Sequence, residues 1–209
     1  MDTSRDDSRH LNRMIDRLLD ASSDMTELIA AAQQTSPAAL AERIRRQAAR
    51  WVRRQPARAQ AILQIRDRLI WIVYASRLPP DGFSAWCDGS SMRTASAAAN
   101  GIGVIVTNAD GEVVAKSIDR VAAAIPPFET EIAALERALD VASEHGATIL
   151  RVHTDCPALV QLWQRHPHDR RFAAIRRLAH RFERFELRVV PREHNQPAHH
   201  LAKAAACAT

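Results

Sequence analysis

Apolar residues recur at helical spacing through the first eighty positions of this 209-residue chain. In RHLNRMIDRLLDA, Leu11, Met14, Ile15, Leu18 and Leu19 fall on one stripe, the signature of a helix with one buried side. Ser36-Pro37 predicts a second helix start, with Ser as N-cap and Pro in the first helical position. That helix runs through AALAERIRRQAARWVRR to Gln55-Pro56. A third covers about 57–76, with Ile62, Leu63, Ile65, Leu69, Ile70 and Ile72 as its expected buried residues. These segments predict a small helical hairpin or bundle. The breaker RLPPDGFS at 77–84 then reads as a domain boundary.

Beyond it the period changes. FSAWCDGSS reads as a short strand, and GIGVIVTNADGEVVAKSI as two β-rich runs joined by a turn at Asn108–Gly111. Pro126-Pro127 introduces the helix FETEIAALERALDVASEHG, ended by Gly146. TILRVHTD is an apolar strand of the buried, parallel kind. PALVQLWQRH and the arginine-rich DRRFAAIRRLAHRF are helices, FELRVVP is a last strand, and 198–207 is a last helix. The order βββαβααβα predicts an α/β fold, three antiparallel strands extended by two parallel ones through crossovers. The expected organisation is an all-α N-terminal module at 1–78, a linker at 79–84 and an α/β domain at 85–209.

Charge sharpens this division. Residues 1–40 carry four Arg and seven acids, residues 41–80 carry ten Arg and two acids, and residues 81–209 carry fifteen of each sign. An arginine-rich segment beside a neutral domain points to a polyanion partner, with a solvated helical face as the plain alternative. Self-association or a protein partner through the apolar stripes is the other expectation for the module. The three cysteines, Cys87, Cys156 and Cys207, follow no metal-finger spacing and read as reduced thiols of a cytoplasmic protein. The charged start MDTSRDDSRH is no secretory signal, and the apolar run LIWIVYA is too short to span a membrane.

Three carboxylates stand where purely structural ones are unusual. Asp88 lies in or at the end of the first strand. Glu131 shares the helix face of Leu135 and Leu139, the side that packs on the sheet. Asp155 ends the apolar strand Ile149–Val152, and strand ends of this kind are where open α/β sheets place ligands. Gathered together, three acids repel and raise one another's pKa, and a hard cation such as Mg²⁺ relieves that repulsion. Taken singly, each has a bland reading: a turn at Asp88-Gly89, a favourable helix-end charge for Glu131, a helix cap for Asp155.

CDGSS, GIGVIVTNADGEVV, ETEIAALERAL, VHTDCPALV and VPREHNQPAHHLAKAA, in this order, resemble the type 1 ribonuclease H family over about residues 83–207. The resemblance implies a ribonuclease H-like fold and a Mg²⁺-dependent endonuclease that cuts the RNA strand of RNA–DNA hybrids. By motif match, Asp88, Glu131 and Asp155 fall on three catalytic acids, with Glu129 the second choice for the helix position. The family's last motif is Asn-x-x-Ala-Asp-x-Leu-Ala. Asn195, Ala198, Leu201 and Ala202 match it, while His199 stands at the aspartate. His200 is expected to face solvent, as is the loop residue His194, whose alternative is to help shuttle protons.

The implied mechanism uses two metals: Asp88 bridges both ions, Glu131 and Asp155 complete their shells, and His199 sits near the ion serving the attacking water. A neutral imidazole removes one negative charge and suits Mn²⁺ better than Mg²⁺. Protonation of an imidazole as pH falls through about 6.5 opposes metal occupancy. Minor-groove contacts that sense the 2′-hydroxyl are expected from Ser90, Ser91, Asn100 and Asn195. Phosphate contacts are expected from the helix bearing Arg170, Arg171, Arg176, Arg177, Arg181 and Arg184, whose buried side is Phe172, Ile175, Leu178, Ala179 and Phe182. The alternatives are a catalytically weakened nucleic-acid binder, supported by the missing fourth carboxylate, and another polynucleotide-cleaving activity on the same fold.

Overall fold

The computed structural model describes residues 3–20, 24–93, 98–121, 125–166 and 168–208, which divide into two compact units, Met1–Arg77 and Leu78–Thr209. The first unit holds four helices: α1 (Thr3–Asp20), α2 (Thr26–Gln34), α3 (Pro37–Arg54) and α4 (Ala59–Ala75). Met14, Ile15, Leu18 and Leu19 of α1 are buried with Leu28 of α2 and Leu40, Ile44 and Ala48 of α3. The short helix α2 has no counterpart in the sequence reading, since only Leu28 and Ala32 of its nine residues are buried and its stripe is brief. Ser36 precedes α3 but its hydroxyl makes no capping bond, so the helix start rests on Pro37. In α4, Leu63 points outward, contrary to its expected burial, whereas Ile62, Leu69, Ile70 and Ile72 are buried.

The second unit is built on a five-stranded sheet ordered β3-β2-β1-β4-β5, from β1 (Phe83–Arg93), β2 (Ala98–Thr107), β3 (Val113–Val121), β4 (Ile149–Thr154) and β5 (Arg184–Val189). β1, β2 and β3 pair antiparallel, while β4 and β5 add in parallel. The first strand runs eleven residues, longer than FSAWCDGSS, and pairs along its length with β2. Gly111, at φ 67°, supplies the positive-φ position of the turn between β2 and β3.

Strand alternation divides the sheet into two faces. Ala85, Cys87, Ile102, Val104 and Val106 join the core with Leu135, Ala138 and Leu139 of α5 (Pro127–Glu144). The opposite positions of β2 are Gly101 and Gly103, and against them lies α8 (Gln196–Cys207). A Cβ on Gly103 would stand 2.3 Å from Ala198 O, and one on Gly101 2.4 Å from Ala202 O, so α8 reaches the sheet only because both side chains are missing. Between β4 and β5 run α6 (Pro157–Arg165) and α7 (Ala173–Ala179), the latter preceded by a single 3-10 turn at Arg170–Phe172. Among the described residues, no helix is long and apolar enough to cross a membrane.

Candidate active site

Two close approaches create the site. Asp88 pairs with Gly103 across β1 and β2, and the contact of α8 with Gly103 brings the first turn of α8 over this point. His199 Nδ1 thereby lies 3.0 Å from Asp88 Oδ2, although 111 positions separate them. Gly89 faces the other way. A Cβ there would meet Thr130 C at 2.7 Å and Glu131 N at 2.8 Å, so this glycine lets the start of α5 close on β1. The Gly89 amide donates to Glu131 Oε2 at 3.2 Å.

Asp155 follows the end of β4 and is tied in by Asn195. The Asn195 amide donates to Asp155 Oδ1 at 2.7 Å and to the Cys87 carbonyl at 2.9 Å, joining the loop before α8 to β1 and to the end of β4. Burial, reinforced by the charges of Asp88 and Asp155, raises Glu131 to about 8. Burial and the neighbouring Asp155 carboxylate raise Asp88, against the opposing hydrogen bond from His199. The centre is a desolvated acidic cluster short of positive charge, which is the condition that a hard dication relieves.

Arg192, which the sequence reading passed over, supplies part of that charge. Its Nη2 lies 3.3 Å from His199 Nε2, and its Nη1 is 3.7 Å from Asp155 Oδ2. No periodicity marks it, because it sits in the single 3-10 turn Arg192–His194 between β5 and α8.

Other expected site residues are sorted by burial. Ser91 is exposed and bonds to Thr130 Oγ1 at 3.3 Å, and Ser90 is half-buried beside it. Asn100 is buried and donates to the Ile125 carbonyl, and Asn195 is fully buried. Both make their hydrogen bonds inside the unit. His194 is buried as well, contrary to the solvent-facing expectation, while His200 is exposed. Arg170 and Arg177 are exposed; Arg171 pairs with Asp169 and lies 5.3 Å from the Phe128 ring centre. Glu129 is half-buried in the first turn of α5.

Sheet order and site together define a ribonuclease H-like domain. Residues 87–205, more than half of the chain, match the family described as reverse transcriptase-like (RVT_3), and the chain belongs to that family. Among solved structures, the N-terminal RNase H domain of a Mycobacterium tuberculosis protein is 29% identical at a TM-score of 0.53, over 60% of this chain and 93% of that one. RNase H1 of Halobacterium salinarum is 23% identical at 0.53, over 59% and 96%. LC11-RNase H1 in complex with RNA/DNA hybrid is 22% identical at 0.51, over 59% and 96%. No curated protein matches the chain in sequence.

Proposed function

We propose that this protein is a divalent-metal-dependent endonuclease that hydrolyses the RNA strand of RNA–DNA hybrids. The observation that carries the reading is the convergence of Asp88 from the middle of β1, Asp155 from the end of β4, Glu131 from α5 and His199 from α8 onto one buried acidic centre. The resemblance to type 1 ribonuclease H motifs and the fold shared with a protein seen on RNA/DNA hybrid support the substrate class.

The donor set fits a dication in its chemistry: three carboxylates and one imidazole, two of the acids held above their usual range by burial and by the neighbouring carboxylates. Among the described residues no group of three such side chains is already placed to hold a metal ion, so ligation asks for side-chain rearrangement. Asp88, Glu131, Asp155 and His199 would hold the metal, which when bound acidifies a water and stabilises the leaving oxygen of the phosphodiester. Asn195 orients Asp155 through the bond to its Oδ1 and holds the α8 loop to β1. The guanidinium of Arg192 lies at the rim, where it can meet a phosphate oxygen and favour the charge that develops there. Ser91, exposed, and Ser90, half-buried beside it, would meet the hybrid.

A labelled hybrid, with single-stranded RNA and duplex DNA as controls, tests the reading. Expected is cleavage in Mg²⁺ or Mn²⁺ that EDTA abolishes and Asp88→Asn removes. A second reading, binding without efficient cleavage, is favoured by His199 and Arg192 standing together where another carboxylate would strengthen cation binding; tight hybrid binding with no cleavage in either metal would establish it. His199→Asp is expected to shift the preference from Mn²⁺ toward Mg²⁺, lowering the Mg²⁺ concentration for half-maximal activity by about tenfold. An unchanged Mg²⁺ titration would count against a ligand role for His199. Arg192→Gln is expected to lower kcat by about 10- to 100-fold with little change in melting temperature, since its contacts are at the exposed rim.

A further inference from the structure

The α/β unit that carries the acidic centre has fifteen charges of each sign over 81–209, so it has no net charge with which to gather a polyanion. The chain's positive surplus lies in 41–80, and the structure gives part of it a shape. A groove of about 370 Å³ runs between α1 and α3, lined by Ser8 and Asn12 on one side and by Arg43, Arg46, Gln47 and Arg50 on the other. We propose that this groove is a second nucleic-acid site, which grips the phosphodiester backbone of a duplex.

The side chains are held ready for this. Arg43 Nη1 donates to Ser8 O at 3.0 Å, Ser8 Oγ at 2.8 Å and Asn12 Oδ1 at 3.3 Å, and Arg50 Nη1 donates to Gln47 Oε1 at 3.0 Å. All four acceptors are neutral, so both guanidiniums are positioned without losing their charge. Among the described residues, neither Arg43 nor Arg50 forms an ion pair. Glu42 is the acid in the lining, and it is shared between Arg45 and Arg46, each at 2.7 Å. Among the described lining residues, three cations thus face one acid.

Positions 43, 46 and 50 follow one face of α3 and span about 10 Å along its axis, close to three base-pair steps of one strand. A row of guanidiniums over that length suits successive phosphates, which each accept paired N–H donors. The side chains that line the groove are polar or charged, apart from Ala39. That the polyanion is nucleic acid rests on the nuclease reading of the other unit; the cationic groove itself does not.

The test uses the full chain carrying Asp88→Asn, in EDTA, with a fluorescent 20-base-pair RNA–DNA hybrid titrated between 50 and 300 mM KCl. Adding Arg43→Gln, Arg46→Gln and Arg50→Gln together is expected to weaken binding about 10- to 100-fold at 100 mM salt and to lower the slope of log Kd against log salt by about 2–3. The same three positions changed to Lys should keep the slope. If circular dichroism shows the triple Gln variant unfolded, Arg46→Gln with Arg50→Gln, both exposed, is expected to lower the slope by about 2. An unchanged slope and affinity in a folded variant would overturn the proposal, as would loss of polyglutamate binding alone with hybrid binding intact. Cleavage by the wild-type chain separates the two readings. Intact cleavage with no groove effect rejects the groove alone; a groove effect without any cleavage rejects the nuclease and leaves the groove standing.

Discussion

Glu131→Gln is expected to lower hybrid cleavage about a thousandfold, some 4 kcal/mol of transition-state stabilisation, while making the metal-free protein more stable. The second effect follows from burial. Desolvation and the charges of Asp88 and Asp155 raise the Glu131 carboxyl from 4.5 to about 8. The unfolded chain releases this proton near pH 4.5, whereas the folded chain keeps it until about pH 8. Between those values the folded state binds more protons, so stability falls as pH rises through the window. Below it the group costs nothing, and above it the full cost of a buried charge is present. Glutamine removes that slope. Urea unfolding in EDTA at pH 5 and pH 8.5 should show the wild-type chain losing about 1–3 kcal/mol more than the variant over the interval. Equal losses would mean that Glu131 does not sit in a desolvated acidic cluster. A carboxylate needed only for packing would destabilise the fold when replaced, so a rise in stability with a loss of activity marks a functional group.

Gly103→Val is expected to abolish cleavage and to destabilise the protein by about 3 kcal/mol or more. Even the first added carbon would stand 2.3 Å from Ala198 O and 2.5 Å from Ala202 N, both backbone atoms of a helix that cannot yield locally. Either α8 lifts away or the sheet bends, and in both cases His199 leaves Asp88 and Asn195 leaves Asp155. Gly146→Ala is the control for glycine loss, since nothing lies within 4 Å of its added Cβ, and its φ of +77° confines the strain to the backbone. Thermal unfolding and cleavage of both variants check the prediction. A Gly103→Val chain that retains wild-type stability would show that α8 does not depend on the bare strand surface.

Much of this was legible because local period and turn chemistry report on the element that contains them. The stripe Leu11–Leu19, the Asn108–Gly111 turn and the helix from Pro127 to Glu144 each carry their signal within a few turns or pleats. The motif order, from CDGSS to the Asn195–Ala202 ending, placed the acids in sequence and singled out His199. The residues whose burial the sequence did not signal share another property. Asn100, Asn195 and His194 are polar residues in or beside loops, and a polar residue there reads as exposed until a second element covers it. Leu63 is the converse, an apolar residue at helical spacing that no described neighbour buries. Arg192 gave no signal, because its meaning lies in the distances to Asp155 and His199.

By itself, then, the sequence determined the order of elements along the chain, the fold class, the uneven charge and the acidic residues available for chemistry, since each depends on neighbours along the chain or on composition. Only the tertiary structure decided which polar side chains became internal struts, how α8 comes to rest on Gly101 and Gly103, and that Arg192 stands beside the centre. Those outcomes depend on contacts between residues far apart in the chain, where a missing Cβ matters as much as any side chain present.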